Sequence, residues 1–241
     1  MQVLSVRNLN RRFGAITVAE DLSFDVSMGE CLGIIGPNGA GKTSVFNMFT
    51  GNVKPQGGTI MLDGRDVTGA SPPARTMAGL GRTYQVPQPF GQLSAYENVL
   101  AAAAFGGRAG GEAEARARDV LVRTGLAARA DKPAGSLPLL DRKRLELARA
   151  MALKPRLLLL DEIAGGLTEA EVAELVTLIR ELKPDVAMVW IEHVTHALSA
   201  VADRILAINF GAEIASGLPD AVMRDPAVLE IYMGAVMDAP A

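Results

Sequence analysis

The chain has 241 residues, room for one large domain or for a core with an inserted subdomain. Apolar residues make up 49% and charged residues 21%, enough material for a buried core, which excludes wholesale disorder. Lys+Arg 24 against Asp+Glu 27 leaves a net charge of -3, without the basic excess of a dedicated nucleic-acid binder, and the single cysteine, Cys31, excludes a disulfide framework.

In chain order, Val3 to Val6 reads as a first buried strand; the N-terminus before it lacks an apolar stretch behind a basic start, so no secretory signal is expected. Cys31 to Ile35 is a second strand, Lys42 to Thr50 a helix and Thr59 to Leu62 a third strand. From about Val86 to Ser136 the strand signal vanishes. Ser94-Ala95-Tyr96-Glu97 is a capping box that opens an Ala-rich helix. Its run from Val99 to Phe105 is the longest unbroken apolar one, far short of the roughly 20 residues that span a membrane, so a membrane role requires a partner. Gly106-Gly107-Arg108-Ala109-Gly110-Gly111 reads as a flexible surface loop before a charged helix, Glu112 to Val122. Helices at Arg142 to Leu153, Glu169 to Leu182 and Val194 to Val201 then alternate with strands at Leu157 to Leu160, Val186 to Ile191 and Ile205 to Ile208. Ala212 to Ser216 forms an edge hairpin strand after the Asn209-Phe210-Gly211 turn, and Asp225-Pro226 starts a last helix. Apolar runs without alternation suit strands covered on both faces. The expected fold is α/β, a largely parallel sheet with flanking helices and a helical subdomain inserted over about residues 86–136 of a single unit.

Two motifs carry chemistry. Gly36-Pro37-Asn38-Gly39-Ala40-Gly41-Lys42-Thr43 matches the phosphate-binding pattern G-x-x-x-x-G-K-[ST] at every fixed position, between an apolar strand and a helix that continues with Ser44. The glycines let successive N–H groups turn inward towards phosphate oxygens at a helix N-terminus, Lys42 reaches the β- and γ-phosphates, and the Thr43 hydroxyl ligates Mg²⁺. Leu157-Leu158-Leu159-Leu160-Asp161-Glu162 is a buried strand ending in two acids, where open α/β sheets place ligand chemistry. Asp161 is expected to hold Mg²⁺ and Glu162 to orient or deprotonate the attacking water.

Through these motifs, the chain resembles the ATP-binding subunits of ABC transporters over nearly its whole length. The resemblance implies a P-loop nucleotide hydrolase core with an antiparallel N-terminal β part, and ATP and Mg²⁺ as ligands. Gln85, in Arg82-Thr83-Tyr84-Gln85, matches the glutamine that opens the helical subdomain and contacts Mg²⁺ or water. His193, in Trp190-Ile191-Glu192-His193, matches the histidine that senses the γ-phosphate, and Phe13 matches the aromatic that stacks on adenine, with a place in the core as its alternative. Leu93-Ser94-Ala95-Tyr96-Glu97-Asn98-Val99, Arg144-Leu145-Glu146-Leu147-Ala148-Arg149-Ala150 and the tail Asp225 to Gly234 are similar to importers of branched-chain amino acids and related amides or aromatic acids.

The chain departs from the family at the signature loop Leu-Ser-x-Gly-Gln. Leu137-Pro138-Leu139-Leu140-Asp141 stands there, with Pro138 in place of the serine, Leu140 in place of a glycine and Asp141 bringing a negative charge near phosphate. Thr168, in Gly165-Gly166-Leu167-Thr168, occupies a position where an Asp is usual. In the family, ATP lies between two subunits, so the resemblance implies a second ATP-binding subunit, and the departure implies a heterodimer with unequal sites. The remaining expected partners are integral membrane permease subunits and, indirectly, a periplasmic or surface solute-binding protein, with no nucleic acid; the expected location is the cytoplasmic face of the membrane. Two other readings stay open: a soluble ATP-driven clamp on nucleic acid or ribosomes, and a regulatory cassette of low turnover.

Overall fold

Apolar runs without alternation become strands whose successive side chains enter two different cores. The computed structural model describes residues 1–106 and 110–237, with backbone alone for 232–237. A long hairpin, β1 (Gln2–Phe13) and β2 (Ile16–Ser27), leads to β3 (Cys31–Ile35) and α1 (Lys42–Thr50). Then come β4 (Gly57–Leu62), β5 (Arg65–Asp66), α2 (Pro72–Met77) and β6 (Leu80–Arg82). The helices α3 (Ala95–Phe105), α4 (Gly111–Arg123) and α5 (Leu139–Ala152) follow. The chain ends with β7 (Leu157–Asp161), α6 (Glu169–Leu182), β8 (Ala187–Ile191), α7 (Thr195–Val201), β9 (Arg204–Asn209), β10 (Ala212–Gly217), α8 (Pro219–Met223) and α9 (Pro226–Met237).

Six strands form one sheet in the order β10-β9-β3-β8-β7-β6, parallel throughout except for the β9–β10 hairpin. Four others form an antiparallel sheet in the order β2-β1-β4-β5. The parallel strands separate the two cores. Leu32 and Ile34 of β3, Leu157 and Leu159 of β7, and Val189 and Ile191 of β8 pack with α1 and the antiparallel sheet. Their neighbours Cys31, Ile35, Leu158, Leu160, Met188 and Trp190 pack with the helices on the other face. The period of two thus produces three layers, each strand contributing to both interfaces.

The structure differs from the sequence reading in several elements. The strand expected at Val3 to Val6 runs on to Phe13, and its hairpin partner β2, whose polar and apolar residues are mixed, was not among the expected strands. The short edge strand β6 was not expected either; it is set by parallel pairing of Leu80, Gly81 and Arg82 with Leu157, Leu158 and Leu159. The loop expected at Gly106 to Gly111 includes Gly107, Arg108 and Ala109, which lie outside the described residues.

Arg75, fully buried, fixes the helix that follows the phosphate loop. It donates to the carbonyls of Met48 and Phe49 at the end of α1 and to those of Ala70 and Thr68. The Met48 carbonyl also accepts from the Gly51 amide, so the guanidinium adds donors at a helix end whose carbonyls lack the next turn's amides.

Candidate functional site

Four neighbouring parallel strands, β3, β8, β7 and β6, point their C-terminal ends the same way, and every expected catalytic residue follows one of them. The phosphate loop follows β3, His193 follows β8, Asp161 and Glu162 end β7, and Gln85 follows β6. Residues far apart in the chain thus share one edge of the sheet, where this fold class binds ligands.

The loop between β3 and α1 is tight enough to require glycine. A Cβ on Gly36 would stand 2.2 Å from the Ile208 carbonyl oxygen, and one on Gly41 would stand 2.3 Å from that of Val18, at a φ of +105°. The Lys42 ammonium folds back over the loop and donates to the carbonyls of Gly36 at 2.7 Å and Pro37 at 3.0 Å. Burial pushes this ammonium below its ordinary pKa, against the opposing fields of Glu162 and Asp161. A cavity of about 350 Å³ opens above the loop, lined by Asn38, Gly39, Ala40, Gly41, Lys42, Thr43 and Ser44, by Phe13, and by Glu162. Phe13 is 43% exposed, so its ring is available rather than part of the core, and the Arg11 guanidinium lies over it at 4.4 Å.

Glu162 is where the other groups meet. Gln85 donates its Nε2 to Glu162 Oε2, and His193 Nε2 stands 3.0 Å from Glu162 Oε1. The Glu162 backbone has a φ of +46°, in the left-handed region that costs a non-glycine residue free energy, while its N–H donates to the Ile191 carbonyl at 2.9 Å. Sheet pairing therefore holds the carboxylate in a conformation its own backbone disfavours. Asp161 points elsewhere: its Oδ2 accepts from Arg82 Nη2 at 2.7 Å, with both side chains 8% exposed, and Arg82 also donates to Asn47 Oδ1 at 2.9 Å.

Three supporting residues were missed in the sequence reading. Arg82 lies within the quoted Arg82 to Gln85 stretch, where a cation just before a polar site was a usable signal. Glu192 is buried and accepts from the amides of Ala164, His193 and Val194, joining the loop after Glu162 to the loop that carries His193. Lys143, a lysine on an amphipathic helix, has no sequence signal that separates it from a solvated one; its ammonium donates to the Gln85 carbonyl at 2.6 Å.

The signature-position residues are also corrected. Leu139 to Asp141 are not a loop but the first turn of α5, with Pro138 as the N-cap and no side-chain cap. Asp141 does not bring its charge to the open site. It is buried and ion-paired with Arg129 at 3.1 Å and Arg144 at 3.7 Å. Thr168, read as a departure, caps α6, its side chain accepting from the Glu171 amide while Glu171 reaches back.

A glycine-bearing loop leading into a helix N-terminus, with an ammonium and a hydroxyl, can hold a polyphosphate, and a carboxylate steadied by Gln85 and His193 can manage a water beside it. Of the residues expected to hold Mg²⁺, Thr43 lines the cavity, the Asp161 carboxylate is engaged by Arg82, and the Gln85 carboxamide donates to Glu162. Residues 19–165 match the ABC transporter family, and residues 213–238 match the branched-chain amino acid ATP-binding cassette transporter family. The chain is 37% identical over 249 residues to the high-affinity branched-chain amino acid transport ATP-binding protein LivG of Salmonella typhimurium, covering 96% of this chain and 98% of LivG. It is 35% identical over 250 residues to BraF of Pseudomonas aeruginosa, with the same coverage of 96% and 98%. The ADP conformation of MJ1267, an ATP-binding cassette of an ABC transporter, superposes with a TM-score of 0.88 at 27% identity, over 97% of this chain and 99% of that one. The chain belongs to the ABC transporter family, as an ATP-binding subunit that hydrolyses ATP.

Proposed function

We propose that this subunit powers an importer of branched-chain amino acids or related amides and aromatic acids, binding Mg-ATP above Lys42 with Glu162 as the base for the attacking water. The observation that carries the catalytic part is the convergence of Gln85 and His193 on Glu162, which lines the same cavity as the phosphate loop. The solute class rests on the printed names of LivG and BraF and on the match of residues 213–238.

In this reading the loop amides and Lys42 take the β- and γ-phosphates, Phe13 stacks on the adenine, and Glu162 accepts the proton of the water that Gln85 and His193 orient. The Thr43 hydroxyl and, once released from Arg82, the Asp161 carboxylate would hold Mg²⁺ with Gln85 near, and the ion would supply charge neutralisation at the transferring phosphoryl group. Catalysis is then positional and electrostatic.

Among the described residues no helix is long and apolar enough to cross a membrane, so coupling runs through permease subunits, with this chain docked peripherally on their cytoplasmic side and any solute-binding protein reached only through them. Tyr84, Phe90 and Phe105 are exposed around a largely apolar cavity of about 380 Å³ beside α3, adjoining Gln85, which suits insertion of a permease segment. The helical segment 86–136 is the part that moves with it. A second ATP-binding subunit completes each pocket. We infer that it is a different chain, because the N-cap of α5 is Pro138, which has neither N–H nor hydroxyl to offer a phosphate.

Replacing Glu162 with Gln tests the catalytic core of this reading. Turnover is expected to fall about 100-fold or more while ATP stays bound, read by phosphate release and by nucleotide retention on the same preparation. Undiminished turnover would remove Glu162 from the base role. Co-purification of the chain with a polytopic membrane protein from detergent-solubilised membranes tests the transport role.

A further inference from the structure

Lys143 lies in the first half of α5 and is 4% exposed. Among the described residues no carboxylate forms an ion pair with it. A buried ammonium without a paired carboxylate is costly, so what holds it must be hydrogen bonds in the right places. Its Nζ donates to the Gln85 carbonyl at 2.6 Å and stands 3.4 Å from the Glu162 carbonyl, which it also reaches. Those two carbonyls belong to the two residues whose side chains meet at the catalytic carboxylate. Burial pushes this ammonium below its ordinary pKa, against the smaller opposing fields of Glu192, Glu162, Asp161 and Glu146.

The same helix grips the segment after Gln85 at two further turns. Gln88 N–H donates to Glu146 Oε1 at 2.9 Å, Arg149 donates to the Gln88 carbonyl at 2.9 Å, and the Arg149 guanidinium lies over the Phe90 ring at 5.2 Å. The segment from Gln85 to Phe90 is therefore fastened to α5. Among these contacts only the one from Lys143 extends to Glu162.

The geometry points to Lys143 as a positioning residue for ATP hydrolysis: its ammonium ties the main chains of Gln85 and Glu162 to α5 and so sets the distance between the two side chains at the place of the attacking water. A displacement of α5, or of the Gln85–Phe90 segment resting on it, reaches Glu162 through this ammonium. Lysine suits the task because one compact cation carries three donors that can serve two carbonyls at once. The inference rests on the reading of Glu162 as the base.

The test uses the full chain with Mg-ATP and two substitutions. Lys143→Met keeps the apolar stem and removes the charge; Lys143→Arg keeps a cation and several donors. With Met, kcat is expected to fall about tenfold or more with KM for ATP within about twofold of the parent, since small misplacements of reacting groups are expensive in rate. Amide exchange is expected to rise in residues 85–90 and 162–164 while α6 stays protected. Arg is expected to recover most of the turnover and of the protection. A Met variant with kcat within about twofold of the parent, or with exchange unchanged in those two segments, overturns the proposal. So does a loss of protection across the whole chain with Arg no better than Met, which marks a structural role. Failure of the Glu162 reading is told apart by Glu162→Gln: normal turnover in that variant removes the base, whereas the exchange pattern of Lys143→Met reports on the tether by itself.

Discussion

At the scale of single residues, the site is built from side chains whose positions cost free energy. Glu162 is held at a positive φ, Lys42 is buried over its own loop, and Arg82 and Asp161 form an ion pair shielded from solvent. Removing one member of such a pair leaves a buried uncompensated charge, at a cost of about 3–5 kcal/mol, so Arg82 is as necessary to the state described as Asp161. Cys31 shows the opposite economy: it sits wholly inside the parallel sheet, and burial pushes its thiol up to about 12. Almost no thiolate exists at neutral or mildly alkaline pH. A thiol alkylating reagent is expected to leave the native chain unmodified and to label Cys31 only on unfolding, read by mass; rapid labelling of native protein would contradict the burial. Phe13 was open between stacking residue and core residue in the sequence, and its exposure beside the loop excludes the core placement.

At the scale of elements, caps and buried cations decide where helices begin and what they carry. Ser94 and Thr168 each close a full capping box, with Glu97 and Glu171. Hydrogen bonds from Thr168 hold the Glu171 carboxyl below its ordinary value of 4.5. A depressed carboxylate stabilises the fold above its unfolded pKa and loses that contribution as the pH falls through its folded pKa. Thr168→Ala is therefore expected to cost about 1 kcal/mol at neutral pH, measured by urea unfolding. The gap between variant and parent is expected to narrow as the pH drops below 4.5. An equal gap at both pH values would mean that Glu171 takes no part. α5 is the contrasting case: Pro138 supplies no cap, yet Asp141 in its first turn is drawn inward by Arg129 and Arg144, leaving the opening amides without a side chain of their own. That orientation was not legible in the sequence, where only the charge of Asp141 could be counted.

At the scale of the whole molecule, parallel strand order gathers the site, and the heterodimer proposed from Pro138 predicts unequal pockets. If the proposed second ATP-binding subunit is a different chain, Glu162→Gln and the equivalent change in the partner are expected to lower turnover unequally in the complex, the pocket containing Lys42 of this chain being the faster. Equal losses from the two single changes would favour a symmetric cycle. Residue order alone determined the phosphate loop and the acid pair, because each is a continuous stretch whose chemistry is set by its own backbone: a glycine-bearing bend leading into a helix, and an apolar strand that runs out into carboxylates. It also determined the capping box at Ser94 and the α/β alternation, which depend on neighbours three or four residues away. Tertiary structure alone decided the roles of Arg82, Glu192 and Lys143, the inward turn of Asp141 and the edge strand β6. Their partners are distant in the chain, 58 residues in the case of Lys143 and Gln85, and a hydrogen bond or an ion pair has no meaning until folding has brought both ends within about 3 Å.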